Sequence, residues 1–80
     1  MTLDEIHEQI TPVFRKVFGD SALILQPEHS AADFPQWDSI NHVILIARVE
    51  KLFGIKISTA ELINLKTVGD LMSLIQTKKN

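Results

Sequence analysis

Residues 37–53 constrain the fold more than any other part of the chain. Asp38 is a residue type that caps helix amino termini, so the pattern predicts a helix whose first residue is Ser39. Gly54 would end this helix, because glycine readily adopts the left-handed conformation found at helix carboxyl ends. Pro35 separates the helix from an extended loop. The pattern therefore predicts a long apolar helix that carries a serine hydroxyl at its amino-terminal rim.

Paired polar side chains mark the starts of three further helices. In a capping box, the side chains of a Ser or Thr and of an acidic residue three positions later accept hydrogen bonds from each other's backbone N–H groups. Such pairs stand at Thr2 with Glu5, Ser58 with Glu61, and Thr67 with Asp70. Long stretches with apolar residues at helical spacing follow the first and third pairs, whereas the second precedes a short one. The chain is therefore predicted to be all-α, a bundle of three main helices plus one short helix, with a long loop between helices 1 and 2.

The apolar stripes of these helices predict one shared core. Its expected buried members are Phe14, Phe18, Leu45, Val49, Phe53, Ile57, Leu71 and Ile75. Leu62 and Ile63 are expected at its margin. A chain of 80 residues that is 45% hydrophobic can form one small folded domain, residues 1–80, and is too apolar to be disordered.

Three segments carry signals against regular helix. Pro12 lies within the first helix, where proline costs about 3 kcal/mol if nothing compensates, so we expect a kink or a break there with helix on both sides. Residues 19–37 lose the helical spacing and contain Pro27 and Pro35, which predicts a loop of a length that is usually functional in small domains. The tail at residues 78–80 is expected to fray.

Composition disfavours several classes of protein. The chain has no cysteine, which excludes disulfides and thiolate metal sites. Its net charge of −2 gives little electrostatic reason to bind nucleic acid, and disfavours a small helix-turn-helix DNA-binding protein. No signal peptide is recognisable, and no apolar run is long enough to cross a membrane. We therefore expect a soluble, cytoplasmic monomer that binds neither nucleic acid nor membranes.

The tripeptide Asp38-Ser39-Ile40 resembles the signature of the acyl carrier protein family, which is Asp-Ser followed by Leu, Ile or Met at the start of the second helix. The order of helices and the long first loop are similar as well. The resemblance implies an acyl-carrier-like bundle and a non-enzymatic function. Ser39 would carry 4′-phosphopantetheine, whose thiol holds acyl or related intermediates as thioesters. Asp38 would serve both as N-cap and in recognition by the phosphopantetheinyl transferase.

The residues before the signature differ from those of housekeeping carriers. Gln36-Trp37 stands where fatty acid carriers typically have Gly-Ala or a similar small pair. The resulting Trp-Asp-Ser resembles carriers of specialised pathways, such as polyketide, nonribosomal peptide or surface-glycan assembly. We therefore expect a specialised biosynthetic pathway. Housekeeping fatty acid synthesis and a helical interaction domain without a prosthetic group remain alternatives. Trp37 itself is expected to anchor the loop to the core.

The histidines do not suggest catalysis or metal binding. Asp38, Ser39 and His42 are too close together on one helix to align as nucleophile, base and orienting group, and no Gly-x-Ser-x-Gly motif is present. His42 is instead expected to be half-buried near the mouth of the core. His7, His29 and His42 lack the spacing of metal ligands.

At about 100° per residue, the central helix presents two apolar faces. The expected core face consists of Leu45, Ile46, Val49, Leu52 and Phe53, joined by His42. The second face, roughly opposite and beside Ser39, consists of Ile40, Ile44 and Ala47, with Asn41, Arg48 and Lys51 alongside. We expect it to bind the transferase, acyl- or aminoacyl-loading enzymes, and synthase or transferase partners, with partial cover by the long loop as the alternative. Because the family usually concentrates acidic residues there, recognition is expected to rely more on apolar contact than on charge.

Overall fold

The computed structural model describes residues 1–79 and contains four α-helices within them. They are α1 (Leu3–Phe18), α2 (Ser39–Phe53), α3 (Thr59–Ile63) and α4 (Val68–Lys79), and a 3₁₀ turn at Ala31–Asp33 interrupts the loop between α1 and α2. The only β-type pairing in this range is an isolated bridge between Ser30 and Thr67. The prediction of an all-α bundle with three main helices, one short helix and a long first loop is confirmed.

Side-chain hydrogen bonds at the helix starts explain why the boundaries were readable from the sequence. Thr2 Oγ1 accepts from the Glu5 N–H at 3.1 Å, and Glu5 Oε1 accepts from the Thr2 N–H at 2.9 Å. The predicted boxes at Ser58 with Glu61 and at Thr67 with Asp70 form in the same reciprocal way. Each cap satisfies backbone donors that the first helical turn leaves unpaired.

Helix α1 runs unbroken through Pro12, so of the expected kink or break the break is wrong, while the kink stays a prediction. Proline has no N–H to donate within the helix, but its ring lies on the exposed side of α1. The opposite side buries Ile6, Ile10, Phe14 and Phe18. Burial of each such side chain contributes about 1.5–3 kcal/mol, and together they outweigh the cost of one proline.

Most of the predicted core is buried in one hydrophobic cluster. Phe14, Phe18, Leu45, Val49, Phe53, Leu71 and Ile75 are buried as predicted, whereas Ile57 is half-buried at the edge of the cluster. Ile57 was therefore overestimated, and two further assignments were wrong. Leu52 is 46% exposed, because it borders the groove between α1 and α2 instead of pointing into the bundle, and Ile63 is 73% exposed on α3. Leu62 is half-buried at the margin, as predicted.

The loop between α1 and α2 crosses the bundle and is bonded at several points. Leu23 and Leu25 are buried, and their carbonyl groups accept from Arg15 Nε–H at 2.8 Å and from His7 Nε2–H at 2.6 Å. Further along, the carbonyl of His29 accepts from the Val68 N–H at 2.9 Å. The loop is therefore fixed to both α1 and α4 before it reaches α2.

Helix α4 extends through Lys79, while Asn80 lies outside the described residues. The expected fraying of the tail stays a prediction. Lys78 Nζ pairs with Glu61 Oε2 at 3.0 Å, which connects the end of α4 to α3. No helix in residues 1–79 is both long and apolar enough to cross a membrane.

Candidate functional site

Ser39 is the first residue of α2 and its side chain is exposed. Within residues 1–79 its hydroxyl makes no hydrogen bond, so the side chain is not needed to hold the helix start. That task belongs to Asp38, the N-cap, whose Oδ1 accepts from the Asn41 N–H at 2.7 Å. Asn41 Nδ2–H in turn donates to the Gln36 carbonyl at 2.8 Å, which fixes the chain just before the helix.

The helix start leaves donors free beside this hydroxyl. The Asn41 N–H is bonded to the Asp38 side chain and the His42 N–H to the Asp38 carbonyl. The N–H groups of Ser39 and Ile40 have no partner in the described part of the chain. Free N–H groups and the positive end of the helix dipole favour an anionic group at this place. A phosphodiester on the Ser39 hydroxyl therefore fits the site.

Trp37 connects the loop before α2 to the core. Its indole packs edge-on against Phe14, with ring centroids 5.4 Å apart, and lies 6.0 Å from Phe18 and 6.4 Å from Phe34. These contacts confirm that Trp37 anchors the loop. Its Nε1–H donates to His42 Nδ1 at 2.9 Å, and the planes of the two rings differ by 26°, so the rings lie nearly side by side.

His42 is half-buried, as predicted, and burial lowers its pKa from the ordinary value of 6.5 because the charged imidazolium is poorly solvated there. An indole N–H can only donate, so Nδ1 of His42 accepts and the ring proton of the neutral imidazole lies on Nε2. In residues 1–79 neither His42 nor Asp38 hydrogen-bonds to Ser39. The three residues form no proton relay of the kind found in hydrolytic triads.

A shallow depression of about 380 Å³ opens directly beside Ser39. It is lined by Ala31, Trp37, Asp38, Ser39, His42 and Val43. Sequence reasoning did not include Ala31 or Val43 in this site. Val43 could have been predicted, because it lies four residues after Ser39 and residues four apart on a helix lie on the same face. Ala31 could not have been predicted, because only the path of the loop brings it to the start of α2.

The second face of α2 is exposed to solvent. Ile40 is 71% exposed and Ile44 41%, and the side chains of Ala47, Arg48 and Lys51 are also exposed. The long loop therefore does not cover this face. A depression of about 470 Å³ brings four of the expected partner-binding residues together with Val43. These four are Ile44, Ala47, Arg48 and Lys51. Ile40 lies outside this depression, and Asn41 is half-buried and bonded to Gln36.

The cations of this face have no partner within residues 1–79. Among the described residues the only ion pair joins Lys78 and Glu61, and Arg48 and Lys51 have neither an ion pair nor a side-chain hydrogen bond. In the same part of the chain, no three metal-ligating side chains come together. His7 and His29 instead bond the backbone of the long loop, at Leu25 and Gln26 respectively.

Comparisons with known proteins agree with this geometry. The family model for the phosphopantetheine attachment site matches residues 8–75. An acyl carrier protein of Acidothermus cellulolyticus is 33% identical over 75 residues, which cover 94% of this chain and 89% of that protein. A meromycolate extension acyl carrier protein of Mycobacterium leprae is 33% identical over 76 residues; the match covers 95% of this chain but 66% of that protein.

Solved structures show the same architecture. A holo acyl carrier protein from Geobacter metallireducens superimposes with a TM-score of 0.85 at 43% sequence identity, covering 90% of this chain and 83% of that one. A putative acyl carrier protein from Mycobacterium tuberculosis gives a TM-score of 0.80 at 25% identity, covering 89% of this chain and 95% of that one.

Proposed function

The chain belongs to the acyl carrier protein family, and on this premise we propose that 4′-phosphopantetheine is attached to the hydroxyl of Ser39. Proteins of this family are carriers, not enzymes, and their prosthetic group is 4′-phosphopantetheine. When attached, the group supplies a thiol that holds an acyl chain as a thioester. The protein binds and orients that group for the enzymes that act on it.

One observation carries the assignment of Ser39. Its hydroxyl is exposed and makes no hydrogen bond within residues 1–79, and it lies at the start of a capped helix, within the Asp38-Ser39-Ile40 motif and inside the matched region. A transferase can reach such a hydroxyl without breaking an existing hydrogen bond. Ser58, by contrast, uses its hydroxyl to cap α3, and Ser73 lies exposed in the middle of α4, away from a helix start.

Coexpression with a broad-specificity phosphopantetheinyl transferase tests this function. We expect the intact mass to increase by that of one phosphopantetheine group, with the modified peptide containing Ser39. A protein that keeps its unmodified mass, while an established carrier in the same cells is converted, would contradict the proposal.

The exposed face of α2 is proposed to bind the enzymes that act on the carrier. Its apolar residues Ile40, Val43, Ile44 and Ala47 are exposed, although burying such side chains would stabilise a small bundle. Arg48 and Lys51 border the face and have no partner within residues 1–79. Asn41, which was also expected to bind partners, instead donates to the Gln36 carbonyl and so holds the chain before α2. The occupants would be the phosphopantetheinyl transferase, a loading enzyme, and synthase or transferase partners.

A specialised biosynthetic pathway is the proposed setting, with the chain acting as a single cytoplasmic carrier domain. The support is Gln36-Trp37 before the Asp-Ser pair. Trp37 packs against Phe14 of the core and lines the depression beside Ser39. The similarity to a protein named for meromycolate extension points in the same direction. Housekeeping fatty acid synthesis is the second candidate, favoured by the Acidothermus relative, which is named simply as an acyl carrier protein.

Reconstitution separates the two settings. The malonyl-loaded protein is offered to the condensing enzyme of a housekeeping fatty acid synthase, beside that system's own carrier. A specialised carrier is expected to be elongated much more slowly than the cognate carrier. Elongation at equal rates would favour the housekeeping function.

A further inference from the structure

We propose that Trp37 and His42 form a binding seat for the part of the phosphopantetheine arm nearest to Ser39. In this seat His42 Nε2–H donates a hydrogen bond to an oxygen of the arm, and the indole of Trp37 covers the neighbouring apolar part. The inference rests on the proposed attachment at Ser39. It adds a non-covalent site that fixes the first part of the arm against the protein.

The hydrogen-bond donor is defined by the contact between the two rings. Because Trp37 Nε1–H occupies Nδ1 of His42 at 2.9 Å, the neutral imidazole carries its proton on Nε2. Within residues 1–79, Nε2 has no acceptor. The Nε2 atom is accessible to solvent, since it is not among the buried side-chain atoms without a partner in this range, so its N–H is available to donate to a group of the arm in place of water.

The position of His42 suits an acceptor that starts from Ser39. Residues three apart on a helix are neighbours, with Cβ atoms about 5–6 Å apart. Both residues line the same depression of about 380 Å³. The first atoms of an arm joined to the Ser39 hydroxyl therefore enter the space that His42 borders.

The lining of the depression matches the chemistry of the arm. Its apolar members are Ala31, Trp37 and Val43, and its polar members are Asp38, Ser39 and His42. The phosphate of phosphopantetheine is followed by a methylene, then by a carbon with two methyl groups, and then by a carbon with a hydroxyl and an amide. The methyl groups can pack on the indole and Val43, and the phosphate or hydroxyl oxygen can accept from His42.

The seat is already formed before the arm is attached. Phe14, Phe18 and Phe34 hold the indole in place, and the indole holds the imidazole. Little side-chain entropy is therefore lost when the arm binds. Because the arm is tethered at the edge of the depression, even a weak contact is populated. Trp37 acts as a positioning residue for His42 as well as an apolar contact.

NMR of the holo protein tests the seat directly. The probe is wild-type protein loaded with isotope-labelled phosphopantetheine, with attachment at Ser39 verified by mass. We expect nuclear Overhauser contacts between the two methyl groups of the arm and the ring protons of Trp37, the only tryptophan in the chain. Holo protein with the arm attached at Ser39, but with methyl signals as sharp as those of free pantetheine and no contact to Trp37, would overturn the seat. Loss of attachment itself would instead refute the proposed function.

Variants of His42 test the hydrogen bond. In His42→Leu, the contacts between the arm and Trp37 should be lost or strongly weakened. In His42→Gln they should persist, because the amide can accept from the indole and still donate to the arm. His7→Leu is the matched control, since His7 lies outside the depression and bonds the Leu25 carbonyl, not the rings that hold Trp37, and it should keep them. Undiminished contacts in folded His42→Leu, or their loss in folded His42→Gln, would show that His42 is not the donor.

Discussion

Asp38 and Ser39 are adjacent in the chain but have different tasks at the start of α2. The Asp38 carboxylate stabilises the helix by accepting from the Asn41 N–H, whereas the Ser39 hydroxyl has no partner within residues 1–79. The motif itself could be read from the sequence, because caps follow local rules. The bond from Trp37 to His42 could not, because it depends on two side-chain conformations that the packed core selects.

The different tasks predict different effects of substitution at these two positions. Asp38→Ala should lower the free energy of unfolding by about 1 kcal/mol through loss of the cap. Ser39→Ala should change it by less than about 0.5 kcal/mol, as is usual for exposed positions. Urea denaturation of the apo proteins measures both. Equal losses for the two variants would contradict this division, and Asp38→Asn, which keeps the cap, should remain near wild type.

The lowered pKa of His42 predicts how stability depends on pH. Well above pH 6.5 the imidazole is neutral in both the folded and unfolded states. Below this value the unfolded chain takes up a proton that the folded protein resists, since burial lowers the folded pKa. Stability should therefore fall as the pH decreases from about 7, until the pH passes the folded pKa. His42→Gln should remove this decrease and His29→Gln should not, as followed by thermal unfolding.

A separate loss of stability is expected at lower pH from the capping carboxylates. Backbone hydrogen bonds to Thr2 and Ser58 lower the pKa of Glu5 and Glu61 from the ordinary value of 4.5. Backbone hydrogen bonds to Lys66 and Thr67 do the same for Asp70 from 3.8. These groups stabilise the fold above those values and lose this contribution as the pH falls through the lowered ones.

At the scale of secondary structure, α2 carries both the core and the proposed partner surface. The helical periodicity correctly placed Leu45, Val49 and Phe53 inside and Ile44 outside. It failed for Leu52. The angle of a residue around its own helix does not show how far the neighbouring helix α1 covers it, and Leu52 lies beside the groove between α1 and α2. The unbroken α1 was also missed, since the burial that offsets Pro12 arises only in the assembled bundle.

Ile44→Glu tests the partner surface. Because Ile44 is 41% exposed beside a solvent-open depression, the thermal midpoint should change little. The rate of acyl transfer to the cognate partner enzyme should fall, because a carboxylate would be desolvated at the contact. Ile63→Glu is the matched control on α3, where the side chain is 73% exposed, and should transfer normally. Unfolding of Ile44→Glu would place that residue in the core, and normal transfer would exclude the docking role.

At the scale of the whole molecule, one small core holds three helices and a crossing loop. The sequence predicted most of the buried residues, because capping and periodicity agree in every helix. The path of the loop could not be predicted. It depends on hydrogen bonds between distant residues, such as that from the Val68 N–H to the His29 carbonyl, and local patterns do not encode them.

The adjacent residues Phe53 and Leu52 test the core. Phe53 is buried, so Phe53→Ala should lower the free energy of unfolding by about 3–5 kcal/mol. That is a large part of the 5–15 kcal/mol or so that stabilises a typical domain. Leu52→Ala should cost much less, since the side chain is 46% exposed. Chemical denaturation measures both, and similar losses for the two variants would contradict the packing.

The most direct test of the account is the intact mass of Ser39→Ala after coexpression with a phosphopantetheinyl transferase. Ser73→Ala is the matched control, because Ser73 is exposed on α4, away from the proposed site. We predict that wild type and Ser73→Ala gain one phosphopantetheine group, and that folded Ser39→Ala gains none. Modification of Ser39→Ala would contradict the assignment of Ser39 as the residue that carries the arm.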